Sequence, residues 1–165
     1  MKKVLFISLV SLLIFSCHQP SQNEHSLQMQ IESLKTKLAD TYKPGFGEFM
    51  TSIQAHHAKL WFAGQNQNWQ LCDFEIHEIM ENIEGIKLYE TERKESKLID
   101  MIDPAIDSIN QAIQKKDPTF FKSSYVLLTN TCNNCHKAVQ FEFNVVKIPD
   151  TQSFSNQDFS PVKSN

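Results

Sequence analysis

At 165 residues, 41% of them hydrophobic and 21% charged, the chain has the length of one small domain behind an N-terminal targeting segment. Its formal net charge is −3, and loss of Lys2 and Lys3 with such a segment takes it to about −5, a mildly acidic balance that disfavours nucleic acid and offers no basic patch for acidic phospholipid. Four cysteines are too few for the disulfide framework that holds many small secreted domains.

The chain opens "MKKVLFISLVSLLIFSC": two lysines, an apolar run to Phe15, then Ser16 and Cys17. The run is short for a membrane span and has the proportions of an export signal. It looks like a bacterial lipoprotein signal, residues 1–17, in which cleavage leaves Cys17 as the lipid-bearing N-terminus. Residues 18–43 then read as a polar tether and a spacer helix. Leu27, Ile31, Leu34 and Leu38 form one apolar stripe, and Met29 stands off it. "KPGFG" at 43–47 ends that helix.

The spacing predicts a second helix over about 46–63, with Phe46, Phe49, Met50, Ile53, Leu60 and Trp61 on one side. His57 points to the core side of that helix, and His56 lies at the edge. "GQNQN" turns the chain into a third helix over about 69–88, whose apolar face carries Cys72, Ile76, Ile79, Met80, Ile83 and Ile86. There His77 reads as a solvated histidine and Cys72 as an inert buried thiol. Trp61 and Trp69 bracket the turn and are expected to pack together. A charged connection, "YETERKESK" at 89–97, follows. Leu98, Ile99 and Ile102 open a fourth helix that Asp103-Pro104 caps or kinks before Ile106, Ile109 and Ile113. Asp117-Pro118 starts the last helix, which carries Phe121, Tyr125, Leu128, Cys132 and Cys135 at helical spacing.

Short turns between amphipathic helices imply an all-α fold, an antiparallel four-helix bundle over 44–141, with an extended C-terminal tail at 142–165. Near the end of its last helix stands "CNNCH", residues 132–136. Cys-x-x-Cys-His is the attachment signature of c-type haem: two thiols for two vinyl groups, and an adjacent imidazole for the iron. Two other readings compete. A thioredoxin-like redox pair would sit in a βαβ pattern, which this sequence lacks, and a zinc site would need further ligands at close spacing.

The arrangement resembles cytochrome c′, a four-helix bundle that holds one haem through this motif near its C-terminus. It is also similar to a family of small exported bacterial cytochrome-like proteins through "HAKLWFAGQ" at 57–65, "CNNCH", and "SNQDF" at 155–159. The resemblance implies one covalent haem c on Cys132 and Cys135 with His136 as proximal iron ligand. The resemblance supplies no physiological reaction; with the export signal, the haem motif reads as an electron carrier at the cell envelope, lipid-anchored through Cys17 and facing the periplasm or exterior. The alternatives are a high-spin protein that binds small gases and a non-haem structural or metal-binding lipoprotein. No set of catalytic acid, base or nucleophile stands out, so an enzyme is not expected. The expected partners are a redox protein, a small gas in the alternative reading, the membrane through the lipid anchor, and a second copy as a homodimer; nucleic acid is not among them.

Helix heights address the sixth iron position. At 1.5 Å per residue, His136 lies about 27 Å down the last helix from the turn at its start. The same depth on the antiparallel second helix, allowing for side-chain tilt, falls on Met50. His57 sits about 10 Å higher and is the runner-up, with a hydrogen-bonded core histidine as its plainer role. The "SNQDF" tail is expected to fold over an exposed haem edge.

Overall fold

A computed structural model describes residues 22–41 and 43–162. Cys17 and the signal read over residues 1–17 lie outside them. The described chain is all-helical, without a strand: α1 (Gln22–Thr41), α2 (Phe46–Gln65), α3 (Trp69–Tyr89), a 3-10 helix (Ser96–Ile102), α4 (Asp103–Lys115) and α5 (Pro118–Ala138). None of these helices is long and apolar enough to cross a membrane. The chain divides after Lys43 into two units. Of the first, α1 is described, its exposed side laced by Lys35–Glu32 at 3.0 Å.

Local chemistry sets the ends of the other helices. At α2 the Gly45 amide donates to the Glu48 carboxylate at 2.7 Å while the Glu48 amide returns to the Gly45 carbonyl at 2.9 Å. Asn68 caps α3 by accepting from the Leu71 amide, and Asp117 caps α5 by accepting from Thr119 and Phe120. The expected start of a helix at Leu98 proves to be 3-10, and the α-helix begins at Asp103. Pro104 has no N–H to return to the Asp100 carbonyl, so an α-ladder can hold it only in its first turn.

Each of α2 to α5 buries one stripe, whereas Leu27, Ile31, Leu34 and Leu38 of α1 are exposed. Ile53, His57 and Leu60 of α2 meet Cys72, Ile76, Ile79 and Ile83 of α3, Ile106, Ile109 and Ile113 of α4, and Phe121, Tyr125 and Leu128 of α5 in one core. Each fully buried isoleucine contributes roughly 1.5–3 kcal/mol. α2 packs on α3, α3 on α4, α4 on α5, and α5 again on α2. Gly64 lies against Phe121, and His57 against Tyr125 and Thr129. Climbing α2 therefore descends α5, and the two run antiparallel.

Two expectations are corrected. Trp61 stacks on Tyr125 at 4.8 Å and Trp69 meets Phe121 edge-on at 6.0 Å; the tryptophans pack on the aromatic column of α5, with no ring contact between them among the described residues. The tail belongs to the same unit as the helices and runs along α2 to the opposite end from His136. Phe154 lies under Lys59, Phe159 is buried against Phe62, and Asn68 donates to the Ser160 carbonyl at 3.1 Å. The apolar slot at Phe62 draws "SNQDF" there, so it covers the α2–α3 turn. The part of the tail beside His136 is residues 141–146.

Candidate cofactor site

Cys132 and Cys135, three residues apart on α5, present their thiols to one side of the helix. Both are free and half-buried. With His136 and Met50 they line a cavity of about 310 Å³ whose other walls are largely apolar: Phe46 and Ile53 of α2, Ile83 of α3, Ile99 and Ile102 of the 3-10 helix. A neighbouring lobe of about 270 Å³ shares Met50, Cys132 and His136 and extends to Gln54 and His57. The structure thus brings Met50, Cys132, Cys135 and His136 to one cavity, and puts His57 at the far edge of its second lobe.

Charges are set by burial. Desolvation, with the neighbouring Cys135 adding to it, pushes the Cys132 thiol up to about 11. Cys135 is also raised, first by desolvation and then by the Glu95 carboxylate. Both are neutral thiols at pH 7, unlike the electropositive, low-pKa cysteine of a thiol catalyst. His136 is oriented through Nδ1, which stands 2.7 Å from the Asn144 carbonyl. A carbonyl can only accept, so Nδ1 carries a proton, and in the neutral ring Nε2 keeps its lone pair. That is the tautomer a metal-binding imidazole needs.

His57 is placed differently. Its Nε2 lies 2.9 Å from the Thr129 hydroxyl and its Nδ1 3.0 Å from the Tyr125 hydroxyl, so both ring nitrogens are engaged. Burial lowers its pKa to about 4, leaving it neutral. Met80 is half-buried against the core, with Asn110 donating to its sulfur at 3.6 Å, and Met29 and His77 are exposed.

The cavity's charged rim was not foreseen. Arg93 lies over the Phe46 ring at 4.8 Å and pairs with Glu95 at 3.3 Å. Glu95 is only 6% exposed. Desolvation opposes its ionisation, but the bond from its backbone amide and the Arg93 guanidinium outweigh that and hold its carboxyl below the usual range. Both residues fall in the run "YETERKESK", which has no apolar period to mark which members turn inward. Lys94 of the same run donates to the Val139 carbonyl at 2.6 Å, which ties this loop to the end of α5.

This arrangement can seat a flat apolar group, bond it through two sulfurs, and offer nitrogen and thioether donors to a metal at its centre. Among the described residues no three His, Cys, Asp or Glu side chains converge as a closed metal cage. Comparison with known protein families, curated proteins and solved structures finds no match to this chain.

Proposed function

We propose that this chain is a monohaem c-type cytochrome that carries electrons at the bacterial cell envelope. The observation that carries the reading is that both thiols of "CNNCH", its histidine and Met50 line one apolar cavity, with the histidine already in a ligating tautomer. The cyclic packing of α2 to α5 supports the finer reading of the fold as an up-down-up-down four-helix bundle of the cytochrome c′ kind. Export and lipid anchoring through Cys17 belong to the same proposal, since covalent haem attachment takes place outside the bacterial inner membrane.

The residues fit the group. Cys132 and Cys135 would hold it covalently, each thiol adding across one vinyl group so that the sulfur bonds one carbon and the proton ends on the other. His136 would hold the iron through Nε2, and the Met50 thioether would be the second protein donor. The Asn144 carbonyl draws on the Nδ1 proton and makes the imidazole a stronger donor. Phe46, Ile53, Ile83 and Ile99 exclude water, and Arg93 at the rim holds a positive charge suited to a propionate. The haem supplies one-electron exchange between ferrous and ferric iron, and a His/Met ligand pair raises its potential.

A second reading is binding of a small gas. The lobe of about 270 Å³ beside Met50 favours it, because it leaves room for a small molecule next to the cavity. Expression with a haem-attachment system, acid–acetone extraction and an absorption spectrum test the proposal. Haem that stays with the protein and a low-spin spectrum support electron transfer. Haem released entirely into the solvent sinks the reading, while a high-spin spectrum with ready CO binding selects the gas.

A further inference from the structure

Asn133, between the two cysteines of the motif, makes a two-point clamp. Its Nδ2 donates to the Val146 carbonyl at 2.8 Å, and its Oδ1 accepts from the Val146 amide at 2.8 Å. The side-chain amide thus pairs with a backbone residue as a strand neighbour would. One turn further along α5, the imidazole of His136 holds the Asn144 carbonyl at 2.7 Å. The tail is therefore fastened to α5 at 133 and 136 by residues 146 and 144, running back along the helix.

The near end of this loop is fixed too. Gln140 takes a left-handed φ of 67°, which reverses the chain, and the Phe141 amide donates to the His136 carbonyl at 2.8 Å. The Asn144 amide closes a turn on the Phe141 carbonyl at 2.9 Å. Glu142 to Val145 are thus held between a fixed start and the Asn133 clamp. Phe143 is 79% exposed and Val145 71%, so side-chain burial anchors this stretch weakly. The clamp is what keeps the Asn144 carbonyl in place.

We infer that Asn133 is a positioning residue for the proximal ligand: it pins the strap at Val146 so that the Asn144 carbonyl stays on His136 Nδ1 and sets the orientation and donor strength of that imidazole. This rests on the haem reading above and assigns a role to a position that the attachment motif leaves open. Loss of the Nδ1 hydrogen bond weakens donation to ferric iron more than to ferrous iron, so the potential rises. Outer-shell partners of this type change metal affinity by about 10–100-fold. A tenfold change in the redox equilibrium corresponds to about 59 mV for one electron.

The test compares the haem-loaded wild type with Asn133→Ala, Asn133→Leu and the control Asn134→Ala. Leucine keeps the volume and a high helix propensity, so a shared effect of Ala and Leu is not a folding defect. Asn134 is exposed and lies in the same motif. Both Asn133 variants should keep covalent haem, raise the midpoint potential by about a tenfold shift in the redox equilibrium, and lose the exchange-protected His136 Nδ1 proton resonance of the reduced protein. Asn134→Ala should match wild type. Covalent haem in every variant with unchanged potential and resonance overturns the positioning role and leaves the cytochrome reading intact. Absence of covalent haem from the wild type overturns both.

Discussion

The hydroxyl of Tyr125 stands 2.7 Å from the His57 carbonyl and 3.0 Å from Nδ1 of the same residue. The pair joins α2 to α5 in the middle of the core, and Thr129 completes it on Nε2. Tyr125→Phe keeps the ring beside Trp61 but leaves His57 Nδ1 buried without its hydroxyl partner. It should cost about 1–3 kcal/mol in urea unfolding. A cost near zero would mean that water takes the place of the hydroxyl.

The same pair gives stability a pH dependence. Burial lowers His57 from 6.5 to about 4. Between those values the unfolded chain binds a proton that the folded chain refuses, so stability from this residue is intact above about pH 6.5 and falls as pH drops toward 4, by up to about 3 kcal/mol. His57→Gln should flatten the unfolding free energy across that window relative to wild type. Parallel curves for the two proteins would show that His57 titrates normally.

Gly64 lets α2 come close to α5 at Phe121. A Cβ on Gly64 would run into the Phe121 ring, which is fully buried and cannot withdraw. Glycine to alanine inside a helix ordinarily gains up to about 1 kcal/mol. Here overpacking of about 1–3 kcal/mol should win, and Gly64→Ala should lower the melting temperature. Combining it with Phe121→Leu should recover part of the loss from the substitution at Gly64, and strictly additive effects would rule out the clash.

Periodicity made α2 to α5 legible, because each has one buried stripe at a helical spacing and an end marked by Pro, Gly, Asn or Asp; the stripe of α1 was as legible but is exposed. It also placed Met50 at the level of His136, since antiparallel helices of known rise fix each other's heights. Glu75 escaped notice although it lies three residues from Cys72 on the buried stripe. Its carboxylate is fully buried and meets His56 Nδ1 at 2.6 Å, and a carboxylate at a core position of the stripe is the sign that could have found it. Asn144 could not be found in this way. It acts through a backbone carbonyl, which every residue has, and only the path of the tail brings it to His136. The tail has no period to read, so its docking at Phe62 came from tertiary packing alone.

The thiols should be slow nucleophiles before any cofactor is attached. Burial pushes Cys132 up to about 11 and Cys72 to about 12, and raises Cys135 less far. At pH 7.5 the thiolate fraction of Cys132 is then about 100-fold below that of a cysteine at the ordinary value of 9.0. In folded chain made without haem attachment, iodoacetamide should label Cys135 first, then Cys132, and Cys72 last, as read by peptide mass spectrometry. Labelling of Cys132 at the rate of free cysteine would refute the buried setting and revive a thiol-redox role for the pair.

Met50 is where the electron-transfer and gas-binding readings separate. It lies one helix away from His136 across the cavity, and both lobes touch it. His57 has its two ring nitrogens committed to Thr129 and Tyr125, so recruiting it to iron would break a buried hydrogen bond at a cost of about 1–3 kcal/mol. Met50 has no such bond to give up, which favours its thioether as the ligand. In the oxidised haem-loaded protein, Met50→Ala should abolish the far-red sulfur-to-iron band, turn the spectrum high-spin and admit CO to the reduced form. Met50→His should restore a low-spin spectrum without that band, at a lower potential because imidazole replaces thioether. His57→Ala should leave the ligand band in place while lowering stability. If instead only His57→Ala removes the low-spin state, the ligand is His57, and if neither variant changes the spectrum, both side chains serve only to wall the cavity.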